Sequence, residues 1–147
     1  MEMEKKTIDH VLRSTWQAVA KMYNEEAVKY NSTMAVGFAL LSIDPKKGTP
    51  STSLGPKMGI EATSLSRTLK SMEEKKFIQR KPNPDDGRGV LIYLTELGKI
   101  NRDASRLAVR KFNQAVLDQT GEESIKNFHS VIEKINELTK KKNIFTF

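Results

Sequence analysis

The chain predicts a mainly α fold with a small two- or three-stranded β-wing: a winged helix-turn-helix lobe flanked by N- and C-terminal dimerisation helices. Three observations carry this. Residues 52–98 read in order as a short helix, a turn, a second helix and a β-ribbon. Long helical periodicities lie on both sides of that stretch. Positive charge is concentrated on it: residues 46–89 hold 10 Lys/Arg against 5 Asp/Glu, within a chain whose net charge is +7.

The second helix of the central stretch is expected from about Glu61 to Lys75. Leu65, Leu69 and Met72 recur at i, i+4 and i+7 and make one apolar stripe, with Ile60 just ahead of it. The other face carries Thr63, Ser64, Ser66, Arg67 and Lys70. Hydroxyls and cations on slender side chains let a helix approach phosphates and base edges, and each can donate a hydrogen bond. These are the expected DNA-binding residues of a recognition helix.

The ribbon follows. Phe77, Ile78 and Arg80 begin an extended segment, and Val90, Ile92 and Leu94 alternate as the returning strand. Two prolines and two glycines in the nine residues 81–89 make the tip a loop. Lys81 and Arg88 on it join the DNA-binding set, because a slender cationic loop suits the negative potential of a narrow minor groove.

Ahead of the recognition helix, Lys46-Lys47-Gly48-Thr49-Pro50 reads as a basic turn, with Ser51 or Thr52 as the cap of a first helix packed through Leu54, Met58 and Ile60. Ser51 and Ser53, at the start of that helix, are also expected to bind DNA. Pro56 forfeits a backbone hydrogen bond once the first turn is passed, so this helix must be short or irregular. Gly59 is the natural turn residue.

The flanks are helical. Thr7 caps a long helix carrying Ile8, Val11, Leu12, Trp16, Val19, Tyr23, Ala27 and Tyr30, and Asn31-Ser32-Thr33 leads into a second over 34–42 that stops before Pro45. Thr95 caps a helix running to about Gln119. Thr120 and Glu123 then have the spacing of a capping box for a last helix, whose Ile125, Phe128, Ile132, Ile135 and Leu138 form a narrow seam suited to packing along another helix. Lys140, Lys141 and Lys142 close it, and Ile144, Phe145 and Phe147 make sense packed on a neighbour. The 147 residues are read as a single chain unit, with the winged lobe at about 34–98 and dimerisation helices at about 7–30 and 96–142.

Several classes are set aside. There are no cysteines, hence no disulfide framework and no thiolate metal site. No run approaches the roughly 18 apolar residues of a membrane span, and MEMEKKTIDH has no apolar signal region, so a cytoplasmic location with no membrane partner is expected. His10 and His129 lie far apart in sequence, and no metal is assigned. No catalytic residue or cofactor is assigned either, since there is no nucleophile-base constellation and no phosphate-cradling glycine loop.

The sequence resembles the MarR family of multiple-antibiotic-resistance-type transcriptional regulators over nearly its whole length. Asp86-Gly87-Arg88, followed by Val90 to Thr95 and Gly98, is similar to the family's D-x-R wing signature and L-T-x-x-G helix start, and Ala62 through Glu73 resembles its recognition helix. The resemblance implies a triangular homodimer that places two winged lobes in adjacent major grooves of a pseudo-palindromic operator, double-stranded DNA being the partner. It implies a repressor role, with Arg88 in the minor groove and Asp86 bracing the wing. It further implies a small aromatic or lipophilic effector, for which Trp16, Tyr23, Tyr30 and Phe38 are the candidate pocket, although an aromatic stripe at helical spacing is more often core. Lys76 departs from the family, which commonly has glycine there; a left-handed Lys76 costs about 1 kcal/mol. The competing function is a winged-helix protein-interaction module without DNA readout, which would show exposed aromatics and aliphatics where the recognition face has hydroxyls and cations.

Overall fold

The computed structural model describes residues 6–141 and 143–146, apart from the side chain of Arg88. The readings placed on MEMEK, Lys142, Phe147 and the Arg88 side chain therefore lie outside the described residues. The chain divides into two compact units, Met1–Ala108 and Val109–Phe147. The described residues form six helices and one three-stranded sheet.

The first unit opens with α1 (Ile8–Val28), capped as expected by Thr7, whose hydroxyl accepts the His10 N–H at 3.4 Å. Asp9 in its first turn is held below the usual carboxylate pKa, chiefly by a hydrogen bond from Thr7. α2 (Met34–Ser42) has the predicted bounds and is capped by Thr33, while Asn24 of α1 accepts the Met34 N–H at 2.9 Å and pins the two helices together. Ile43 ends α2 in extended backbone just before Asp44-Pro45.

The basic turn is partly a strand. β1 (Thr49–Pro50) pairs antiparallel with β3 (Asp86–Leu94), Thr49 facing Ile92 and Pro50 facing Leu91, and β3 pairs on its other edge with β2 (Ile78–Asn83). A two-residue strand carries no alternation, so periodicity could not reveal it. α3 (Ser51–Met58) follows at once, and its N-cap is Pro50, not Ser51 or Thr52. No side-chain hydroxyl caps it, because β1 delivers the chain in extended form right up to the first helical residue. α3 is short, with Pro56 inside it, and Gly59 ends it in the left-handed conformation at φ 65°.

The core is one cluster inside this unit. Val36, Ala39, Leu40 and Ile43 from α2, Leu54 from α3, and Leu65, Leu69 and Met72 from α4 (Ala62–Glu74) close over Phe77, Ile78 and Ile92. The α4 stripe and the ribbon's Phe77, Ile78 and Ile92 are the residues that periodicity marked; on α2 the sequence pointed to Phe38, Leu40 and Leu41, and of these Leu40 is buried while Phe38 and Leu41 are half-buried beside Val36, Ala39 and Ile43.

α5 (Glu96–Thr120) is capped by Thr95 as predicted, the hydroxyl accepting the Gly98 N–H at 3.0 Å. In the second unit, α6 (Glu122–Lys140) starts from Gly121 at φ 89°, with no side-chain cap. The predicted capping box does not form. Thr120 is still the last residue of α5, its hydroxyl donating to the Val116 carbonyl, and Gly121 takes the N-cap position of α6 in its place. No described helix is long and apolar enough to cross a membrane.

Candidate nucleic-acid interface

α4 buries Leu65, Leu69 and Met72 and leaves Thr63, Ser64, Ser66, Arg67 and Lys70 exposed, the division the 3.6-residue period requires. Its N-cap, Glu61, makes no side-chain capping bond, so the first-turn amides are not capped by that side chain. Thr68, beside this face, donates to the Ser64 carbonyl at 3.0 Å and is turned back onto its own helix. The five side chains form a single polar, cationic face that a sheet and two helices hold from behind.

Ser51 and Ser53 are half-buried at the start of α3, and Ser53 donates its hydroxyl to the Pro50 carbonyl at 2.8 Å. Ser53 is thereby committed to the β1–α3 junction. Lys57, in the last turn of α3, is an exposed cation that the sequence reading passed over. It escaped notice because it follows Pro56, where the helical register was in doubt.

The wing runs from β2 through Pro84-Asp85 to β3, with a register irregularity at Pro82/Asn83. Asn83 accepts the Asp85 N–H at 3.0 Å and shapes the tip. Lys81 does not hang from the tip: its ammonium lies 5.0 Å from the centre of the Tyr93 ring. An exposed cation over an aromatic face gains about 0.5–1 kcal/mol, weak enough to be exchanged for a phosphate. Asp86 begins β3, and a Cβ at Gly89 would come within 3.2 Å of its Oδ2, so the carboxylate folds over the Gly89 backbone. Arg80 of β2 forms an ion pair with Glu73 of α4, tying the wing's first strand to the recognition helix.

The aromatic candidates divide. Tyr23 and Phe38 meet edge to face, with ring centres 5.9 Å apart, and burial pushes the Tyr23 phenol up from its usual pKa. Trp16 and Tyr30 are instead exposed. Trp16 stands with Ile8, Val11 and Leu12 on an α1 in which no residue is buried, and Tyr30 lies in the turn just beyond it. α6 likewise buries nothing and leaves Phe128, Val131 and Leu138 open, with His129 edge-on to Phe128 at 5.8 Å. Among the described residues no group of three His, Cys, Asp or Glu could hold a metal ion.

Residues 33–90, the stretch from the cap of α2 to the returning strand of the wing, match the family model of the MarR family. The chain is 25% identical over 126 residues to the HTH-type transcriptional regulator SarZ of Staphylococcus aureus, covering 84% of this chain and 85% of that protein. Among solved structures it is similar to the S. aureus MepR–DNA complex, with a TM-score of 0.83 at 19% identity over 90% of this chain and 98% of that one. It is also similar to the PcaV transcriptional regulator of Streptomyces coelicolor in complex with its natural ligand, with a TM-score of 0.78 at 17% identity over 93% and 98%. The stripe of α4, the D-x-R wing and the Thr95 cap thus sit in the architecture their spacing predicted: residues 33–90 match the MarR family, and the chain has the winged-helix fold of the MarR-family transcription regulators it resembles.

Proposed function

We propose that the chain acts as a homodimer that reads a pseudo-palindromic duplex, α4 of each protomer entering the major groove and Arg88 of each wing the adjacent minor groove. The observation that carries this reading is the exposed face of Thr63, Ser64, Ser66, Arg67 and Lys70, backed by the buried stripe of the same helix. Every one of those side chains can donate to an acceptor on a phosphate or a base edge, and none is an aromatic or aliphatic anchor of the kind a protein partner would meet. Lys81 and Ser51 flank the face. Asp86 braces the wing.

Support for a dimer comes from the large apolar side chains left exposed on α1 and, separately, on α6. Large apolar side chains exposed along a helix of a small protein mark an association site. In this reading residues 7–30 and 96–142 serve dimerisation and 34–98 form the reading lobe. Two lobes related by a two-fold axis would meet half-sites about one helical turn, ~34 Å, apart.

The regulator is read as a cytoplasmic repressor released by a small aromatic or lipophilic effector. The structural neighbour PcaV was solved with its natural ligand, and here Tyr23 and Phe38 supply paired rings at the α1–α2 contact. Selection of duplexes from a random pool by the purified protein tests the reading. An enriched two-fold motif, altered at defined positions by Ser64→Ala and Arg67→Ala, is the expected result. A pool with no enriched motif favours the protein-interaction module.

A further inference from the structure

Three elements of the winged lobe converge on one hydroxyl. α4 ends at its cap Lys75, Lys76 turns the chain in the left-handed conformation at φ 61°, and Phe77 leads into β2. The Lys76 carbonyl accepts the Thr95 Oγ1–H at 2.6 Å, while the same Oγ1 accepts the Gly98 N–H at 3.0 Å. One residue further, the Thr95 N–H donates to the Phe77 carbonyl at 3.0 Å, and the Phe77 N–H donates to Met72 of α4 at 2.9 Å. Capping α5 requires only that Oγ1 accept. The donated bond to Lys76 is surplus to capping, and it joins residues 19 apart in sequence.

We propose that Thr95 is a positioning residue for DNA readout, its hydroxyl fixing the angle at which α4 hands the chain to the wing. The inference rests on the reading that α4 and the wing engage one duplex together. A rigid pair of readers must be held to within roughly 0.5 Å and 10–20° of the productive geometry, and a left-handed turn at Lys76 alone does not hold them. Glu73 and Arg80 bridge the same two elements through an exposed ion pair, a looser tie than the hydroxyl's two directed bonds.

Thr95→Val keeps the shape and removes both bonds; Thr95→Ser keeps both. Affinities are measured for the duplex that the wild-type protein enriches from a random pool and for a scrambled duplex of the same length. The ratio of the two should fall about tenfold in T95V, on the order of one lost base contact, and stay within about twofold of wild type in T95S. A structural role alone would lower the folded fraction and weaken both affinities equally, so an unchanged ratio in T95V overturns the proposal, as does an equal fall in T95S. Amide hydrogen exchange of the DNA-free variants gives an independent reading. T95V should speed exchange at Phe77, Ile78 and Gly98 and leave Leu40 in α2 unchanged; uniform acceleration, or none, contradicts the positioning role. Should the wild-type protein enrich no duplex, the DNA reading fails and the exchange measurement alone decides.

Discussion

Gly98 lies so close to Phe77 that a Cβ built on it would stand 2.0 Å from the Phe77 carbonyl oxygen. The obstacle is backbone already engaged by the Thr95 N–H, so it cannot swing aside as a side chain would. Gly98→Ala should therefore destabilise the chain by about 3 kcal/mol, the upper end of the cost of overpacking. A urea denaturation curve checks this. A loss below about 1 kcal/mol would mean that α5 can shift on the wing without strain.

Lys76 sits at φ 61°, where a side chain is strained. Lys76→Gly should raise stability by about 1 kcal/mol or slightly less, since glycine relieves the left-handed cost but frees the unfolded chain. The urea midpoint should rise with an unchanged slope. A lower midpoint would show that the lysine side chain makes contacts outweighing the strain.

Asp44 accepts the backbone N–H groups of Lys46 at 2.8 Å and Lys47 at 2.9 Å, and these bonds, Lys47's first, hold its carboxyl below the ordinary value of 3.8. The folded state thus binds that proton more weakly than the unfolded chain does. Its contribution is present above the unfolded pKa and is lost as pH falls through the lower folded value. Asp44→Asn should be less stable than wild type at pH 7, and the gap should narrow as pH falls below the ordinary value of 3.8 and through the lower folded value. A gap of constant size across that range would assign the effect to the hydrogen bonds rather than the charge.

Phe128 and Leu138 stand open on α6. If they face a second copy, Phe128→Asp should shift the sedimentation of the protein toward a single chain at micromolar concentration without loss of helical signal, because one buried charge at an apolar interface outweighs the packing it replaces. An unchanged sedimentation coefficient would place the dimer contact elsewhere.

Legibility in the sequence followed the range of the interactions. α4 was placed to within a residue because a buried stripe repeats every turn, α2 because a Thr33 cap and Pro45 bracket it, and the ribbon because alternation and Pro/Gly punctuation lie next to each other in the chain. β1 was missed because Thr49 looks like a turn residue until β3, some forty positions later, supplies its partner. Thr120 was misassigned because its spacing to Glu123 fits a cap whether or not α5 has already ended, and only the actual end of α5, at Thr120 itself, moves the N-cap to Gly121. The cost of Lys76 should it turn left-handed was legible, but neither the turn itself nor the Thr95 and Gly98 contacts beside it, since these join residues about twenty apart. At the site, the exposed face of α4 could be listed residue by residue from the sequence, whereas the engagement of Ser53 with Pro50 and of Lys81 with Tyr93 required coordinates.

The central claim is that α4 and the wing contact one duplex, and the measurement that bears on it most directly is the salt dependence of binding by Arg88→Ala. Mobility-shift titrations of wild type and variant against the enriched duplex, repeated over a series of salt concentrations, give the slope of log K against log salt. The account predicts weaker binding and a slope shallower by about one unit per wing arginine removed from a phosphate-lined groove. Identical affinity and identical slope would take the wing off the DNA.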